Sequence, residues 1–476
     1  MFNKLKDYFV GTFIGAMLNI LAIPIIVRMI SPEYFGLFSI FMIFYNIFSL
    51  IFSFGLEHFF LRYFFENEKD KYLLTKTIVK FILVLDFVFI IGIYILKNLN
   101  IKIFESFFKL DNRLLLLFFI GAIIVVINKF SITYIRLQKK AKVYSKLVIL
   151  GQLLNIVFIF IFYFLLKERQ YVLILSIIVS NFFITFISII LEFNFWKNVL
   201  IVKDYPLKIS LKEMLCYSYP MLIASLIGIG YQSIDKLMLK KYDLFIEIGI
   251  YSMSMKVANL LNIIQQSFNA LWLPEALEYY KNNEFFKIKY VNKIFTFIVT
   301  EIVGLIILFA PILKYILSEE YENVIEIFPF LIFIPVIGIL SEIIGVGIVF
   351  SKNSKYQTLS SLGALFLNII LNIILIPKYH LLGAIIATIV SYLGYYFLKY
   401  FYSKKVFLIE FDIKKNIYCF IIMFNFMVIN FIKVVITYRI LYYIIFFLVL
   451  LPYIFKKEVK GLKDKIFTKV IIWVKK

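Results

Sequence analysis

"IGIGYQSIDKLMLKKYDLFIEIGIYSMSMKVANLLNII" occupies residues 227–264. Two apolar arms flank the turn Lys240-Lys241-Tyr242-Asp243, and about 20 mainly apolar residues are what an α-helix needs to cross a bilayer. Hydrocarbon offers no partner to backbone N–H and C=O groups, so such arms read as spanning helices, which satisfy those groups internally. Asp235, Lys236 and Lys256 nevertheless interrupt the arms. A charge in that solvent is costly, and its presence asks for a reason.

The rest of the chain lives in the same solvent. Of its 476 residues, 63% are hydrophobic and 19% aromatic, with a mean hydropathy of +0.94, whereas soluble chains are about 45–50% apolar. The net charge of +22 sits in short tufts between apolar runs. That dispersion fits membrane topology and anionic headgroups rather than nucleic acid. Cys216 and Cys419 lie far apart in sequence, and His58 and His380 are the only histidines. Neither a disulfide framework, a metal site nor a cofactor is expected.

About 14 apolar runs are long enough to span, from 8–30 to 440–455. The first is no signal peptide, because its apolar core is too long and Arg28 with Ser31-Pro32 offers no small-residue cleavage site. The fold class is therefore an all-α integral membrane protein. A cytoplasmic amino terminus puts about 33 Lys and Arg inside and about 13 outside. Both termini are then cytoplasmic, and "RLQKKAKVYSK" (136–146) and "KKEVKGLKDKIFTK" (456–469) face inward. The longest external segment, 98–112, leaves no room for a catalytic domain. Segments 193–212 and 275–292 mix aromatics with Lys and Glu and read as amphipathic helices on the headgroups. Trp196, Trp272 and Trp473 read as interfacial anchors, and Glu57-His58 as a polar pair.

An internal repeat organises the runs. "GLFSIF" from Gly36 and "GIYSMS" from Gly249 are about 213 residues apart. The same offset relates Gly15 to Gly228, Asn155 to Asn368, and Lys139 and Lys142 to Lys352 and Lys355. Matches of Gly, Asn and Lys in one register point to two parallel six-helix lobes, related by an axis along the membrane normal. The expected division is an N-terminal lobe at 1–192, an inter-lobe linker at 193–213, a C-terminal lobe at 214–402, and two extra helices with a basic tail at 403–476.

Depth then sorts the buried charges. Asp235 and Lys236 lie within about two turns of Lys240-Lys241 and either snorkel outward or face a cavity. Lys256 sits roughly 14 Å into its run, deeper than a lysine snorkels comfortably, so a hydrated cavity or an anionic partner is expected there. Asp86 and Glu301 occupy corresponding runs of the two lobes at similar depth, one acid in each. Lys129 and Glu342 are related by the repeat offset; they either gate the lobes or snorkel to the cytoplasmic headgroups. Arg28 and Arg62, near run ends, either anchor at the interface or offer planar donor forks to phosphate.

"LAIPIIVRMISPEYFGLFSIFMIFYNIFSLIFSFGLEHFFLRYFFENEK" (21–69) resembles the opening of the bacterial polysaccharide flippases, the O-antigen and capsule exporters of the multidrug/oligosaccharidyl-lipid/polysaccharide superfamily. Pro24, Ser31-Pro32-Glu33-Tyr34-Phe35-Gly36, Gly55 and Arg62 carry the match. It returns at "SYPMLIASLIGIGYQSIDKLML" (218–239), "GIYSMSMKVANLL" (249–261), "LWLPEALE" (271–278) and "LFLNIILNIILIPKYHLLGAIIATIVSYL" (365–393). His380 stands where that family often has Gly, which puts the local turn in question.

The resemblance implies two lobes around a cavity that opens alternately inward and outward and moves a polyprenyl-pyrophosphate-linked oligosaccharide from the inner to the outer leaflet of the cytoplasmic membrane. Lys256, Lys236, Arg28, Arg62 and Asp235 are then the expected substrate-binding residues. Asp86, Glu301, Glu342 and Lys129 are the expected coupling or gating residues, using a proton or sodium gradient. Membrane lipids and polysaccharide assembly proteins are the expected partners, and the chain is expected to work as a monomer. A multidrug exporter of the same superfamily shares the fold, although cationic drugs favour an acidic cavity. A membrane polymerase would need a substantial aqueous loop, and the chain has no Gly-rich Lys-Ser/Thr phosphate loop for ATP hydrolysis. A transporter rather than an enzyme is expected.

Overall fold

A computed structural model describes residues 2–64, 70–98, 112–203, 205, 209–351, 353, 355–407, 409–432 and 435–456. Segment 99–111, Lys352, nearly all of the basic tail and Trp473 lie outside these residues. Every regular element among the described residues is helical. Of the helices, 10 are long and apolar enough to cross a membrane, by length and composition.

The described chain forms two compact units, Met1–Lys240 and Lys241–Lys476. The first contains α1 (Phe2–Met29), α2 (Pro32–Ser53), α3 (Leu56–Tyr63), α4 (Lys71–Asn98), α5 (Asn112–Leu137), α6 (Ala141–Leu165), α7 (Val172–Leu191), α8 (Phe193–Ile201) and nearly all of α9 (Leu211–Lys241). Sequence punctuation explains the breaks. Ser31 sits extended before α2, Pro32 takes the first helical position and Glu33 the first turn, an arrangement suited to a helix start. Phe54 and Gly55 are both left-handed, with φ 48° and 68°, and this pair separates α2 from α3. Gly55 is also a point of close approach. A Cβ there would lie 3.0 Å from the Ser218 carbonyl oxygen of α9.

That approach helps to place α9 in the first unit, although the repeat register puts it at the start of the 214–402 lobe. Met214 is fully buried in one cluster with Phe59, Phe60, Phe64, Phe130 and Phe195. α8 joins the same core. Phe195 stacks on Tyr134 with centroids 3.6 Å apart, Lys140 pairs with Glu192 just before the helix, and Lys76 donates to the Val202 carbonyl just after it at 2.8 Å.

The second unit contains α10 (Phe245–Ala258), α11 (Leu260–Lys281), α12 (Phe285–Phe309), α13 (Asn323–Leu331), α14 (Phe333–Ile344), α15 (Val346–Phe350), α16 (Lys355–Val406), α17 (Ile413–Phe431), α18 (Ile436–Tyr443), a π-helical stretch Ile444–Leu450, and α19 (Leu451–Ile454). Segment 275–292 is not the separate surface helix expected. It is the end of α11 and the start of α12, turned at Asn283 with φ 57°, because the apolar periodicity simply continues into polar helix ends. α16 is two helices broken at His380, where φ is 49° and ψ −123°. Glu247 of α10 steadies this break, its Oε2 accepting from the Leu381 amide at 2.7 Å and its Oε1 lying 3.4 Å from His380 Nδ1.

α17 and the helices after it are docked by polar side chains. Asn416 Nδ2 donates to Tyr396 at 2.6 Å, and Thr296 donates to Asn416 Oδ1 at 3.1 Å. Asn292 exchanges hydrogen bonds with Asn416 at 3.4 and 3.3 Å. Arg439 is buried and reaches Asn430 Oδ1 at 2.8 Å. In lipid such bonds hold helices together where no hydrophobic difference separates protein from solvent.

Candidate functional site

In the first unit, Arg28 is exposed in the last turn of α1, where a cation complements the negative end of the helix dipole. Arg62 is also exposed, in the last turn of α3. Its guanidinium lies 5.5 Å from the ring of Tyr63 and 5.1 Å from that of Tyr217, a cation–π bracket joining α3 to α9. Lys129 Nζ on α5 is 3.2 Å from Ser49 Oγ and 3.8 Å from Glu57 Oε1. Glu57 is therefore matched with Lys129 rather than with the adjacent His58. On α9, Asp235 is buried and Lys236 half-buried.

Asp86 lies in the middle of α4 and is 1% exposed, and neither carboxyl oxygen has a hydrogen-bond partner. It borders a cavity of about 160 Å³ that Trp196 also lines. Trp196 thus turns its indole inward rather than serving only as an interfacial anchor. Its N–H is buried without a partner as well.

In the second unit, Lys256 is half-buried in the last turn of α10. α10 passes into α11 at Asn259, whose backbone stays in the right-handed helical region (φ −65°, ψ −8°) with its N–H on the Met255 carbonyl at 2.8 Å, and Asn262 donates to Asn259 Oδ1 at 2.7 Å. Glu301 on α12 is half-buried; Tyr443 donates to its Oε2 at 3.4 Å, and its Oε1 is buried without a partner.

Glu342 on α14 has an ion-pair partner that sequence reading missed. Lys399 Nζ lies 2.7 Å from Glu342 Oε1, and Tyr395 supports the same ammonium at 5.1 Å. Lys399 stands near the end of the apolar run 382–402, where a lysine reads as an interface residue; no local signal separated it from its neighbours. Trp272 is buried too, and its indole donates to the Glu342 carbonyl at 3.3 Å. So Lys129 and Glu342, related by the repeat offset, each hold an opposite charge within their own unit.

Apolar residues build a further feature of the second unit. A cavity of about 780 Å³ runs between α13, α14, the second half of α16 and α17, lined by residues such as Phe330, Phe333, Ile386, Val390, Ile421 and Phe424. Ile386, Val390, Ile421 and Phe424 are exposed along it. Among the described residues no cluster of His, Cys, Asp and Glu could hold a metal ion.

The model of the family described as polysaccharide biosynthesis protein matches residues 7–274. No curated protein matches the chain. Among solved structures, a lipid II flippase MurJ in an inward closed conformation is similar with a TM-score of 0.69 at 17% identity, over 95% of this chain and 99% of that one. An inward-facing multidrug resistance MATE family transporter of the MOP superfamily is similar with a TM-score of 0.55 at 17% identity, over 84% of this chain and 98% of that one. At these identities the likeness is one of fold.

Proposed function

This chain belongs to the polysaccharide biosynthesis protein family, and from that membership we propose that it is a flippase. Its substrate is a polyprenyl-pyrophosphate-linked oligosaccharide, carried from the inner to the outer leaflet of the bacterial cytoplasmic membrane by alternating access. The fold it shares with a lipid II flippase supports this reading.

The observation that carries the proposal is Lys256, a half-buried cation in the last turn of α10 within an otherwise apolar run. A pyrophosphate cannot enter hydrocarbon unaided, because a desolvated charge costs many kcal/mol. An ammonium held at depth replaces part of the lost hydration and gives the anion a counter-charge on its way across. Lys236, Arg28 and Arg62 of the first unit are further substrate-binding cations in this reading, and Asp235 beside Lys236 is a polar member of the same set. The polyprenyl tail needs no such help. An apolar cavity of about 780 Å³ suits an isoprenoid chain that stays in apolar surroundings while its headgroup crosses.

Asp86, Glu301 and Glu342 are proposed to couple transport to a proton or sodium gradient, and Lys129 and Glu342 to gate it through the ion pairs each makes in its own unit. Asp86 and Glu301 also favour a second reading, an exporter of organic cations, since an acid with a carboxyl oxygen buried without a partner in a spanning helix attracts such substrates. Proteoliposomes separate the two. The flippase reading expects a fluorescent polyprenyl-pyrophosphate oligosaccharide to change leaflets with the protein and an organic cation dye to stay put; the reverse result supports the exporter.

A further inference from the structure

We propose that the outer face of α8 is a binding surface for anionic phospholipid. The helix (Phe193–Ile201) starts directly after Glu192, where the spanning helix α7 has ended at Leu191, so it lies at the edge of the bilayer. It carries two apolar stripes. Phe195 and Val199, one turn apart, are buried in the core that Met214 of α9 shares, and Phe195 meets the rings of Tyr72 on α4 and Tyr134 on α5. Phe193, Lys197, Leu200 and Ile201 follow the i, i+4, i+7, i+8 spacing of one helix face and lie opposite. All four are exposed, Phe193 by 59%, Leu200 by 79% and Ile201 by 65%.

Charge selects the occupant. Segment 193–212 carries four lysines against the single acid Asp204, and 136–146 carries five Lys and Arg against no acid. Lys140 pairs with Glu192 just before α8, which sets the turn between α5 and α6 beside it. Arg136, Lys139 and Lys142 are exposed at that turn, and Lys197 and Lys203 on and after α8. A soluble acidic polymer would engage these cations and leave Phe193, Leu200 and Ile201 in water. A zwitterionic leaflet would take the apolar three and leave the cations without a counter-charge. An anionic leaflet satisfies both: the stripe enters the boundary between headgroups and acyl chains, and Lys197 lays its methylenes there while its ammonium rises to the phosphates. Each lysine held at such a surface favours anionic lipid by roughly fivefold. With Phe195 and Val199 closing its other side, α8 is then clamped between lipid and the ends of α4, α5 and α9.

The surface stands whether or not the chain is a flippase. The purified full chain with Cys216→Ser accepts a bimane label at Leu200→Cys, because Cys419 is buried, and is placed in phosphatidylcholine nanodiscs containing a minor fraction of phosphatidylglycerol. A nitroxide near the headgroup end of the acyl chain is carried by the phosphatidylglycerol or by an equal amount of the phosphatidylcholine. Quenching at Leu200→Cys should be at least about threefold stronger from the phosphatidylglycerol. Lys197→Gln with Lys203→Gln should erase that preference while quenching itself persists. A label at Val88→Cys, exposed along the spanning helix α4, should be quenched alike by both lipids in every variant, which verifies insertion. Equal quenching by the two lipids at Leu200→Cys overturns the proposal. So does quenching there by aqueous iodide in place of lipid, or a preference that survives the double variant.

Discussion

Lys399 Nζ and Glu342 Oε1 lie 2.7 Å apart, yet the lysine side chain is 2% exposed and the glutamate 40%. The burial is lopsided, and the cost of breaking the pair should be too. Glu342→Ala strands an ammonium in the interior and should destabilise the second unit by about 3 kcal/mol. Lys399→Met leaves a carboxylate that water can reach and should cost about 1 kcal/mol. Thermal unfolding of the two variants in detergent measures the difference, and equal losses would contradict the assigned burial.

Gly55 offers a test of how α9 is held in the first unit. Its φ of 68° and the 3.0 Å from a Cβ to the Ser218 carbonyl oxygen both oppose a side chain. Gly55→Ala should lower stability by about 1–2 kcal/mol. Gly92 is the control: a Cβ there meets nothing within 4 Å, and Gly92→Ala should leave stability unchanged or raise it by up to about 1 kcal/mol. Unfolding midpoints in the same detergent separate the two outcomes.

His380 holds a left-handed conformation that suits glycine. His380→Gly should relieve about 1 kcal/mol of backbone strain while the Leu381 amide keeps its bond to Glu247. Glu247→Ala removes that bond and should cost about 1 kcal/mol, as the loss of a helix cap does. Hydrogen exchange at the Leu381 amide should quicken in Glu247→Ala and not in His380→Gly.

Asn416 ties α17 to α12 and α16. Asn416→Leu leaves the amide of Asn292 and the hydroxyl of Tyr396 short of partners in a buried setting, a loss of about 1–3 kcal/mol. The exchange of α17 amides should quicken while that of α2 and α5 stays unchanged. Uniform quickening would assign Asn416 a role beyond docking its own helix.

Much of the fold was legible because a bilayer leaves few choices. Runs of about 20 apolar residues must be helical there, and the runs coincide with helices while the polar helix ends beyond them do not announce themselves: α4 starts at Lys71 and α12 at Phe285. The partners of charges were not legible. Asp86, Lys129, Glu301 and Glu342 stood out as charges in apolar runs, but Glu57, Lys399 and Tyr443 reach three of them from other helices, and Trp196 borders the cavity of Asp86 from a short helix beside the bundle. Such pairings depend on helix rotation and packing, which periodicity in one chain does not encode. Lys256 stood out by counting along a single run, and the structure places it half-buried in the last turn of α10.

The central claim is that a deep cation carries the pyrophosphate. Proteoliposomes containing the native chain, Lys256→Arg or Lys256→Ala at equal protein content, supplied with a fluorescent polyprenyl-pyrophosphate oligosaccharide, test it most directly through the rate of leaflet exchange. The expected result is near-native exchange with arginine and a fall of about tenfold or more with alanine, equivalent to about 1.4 kcal/mol of lost stabilisation. Native exchange from folded Lys256→Ala protein would contradict the account.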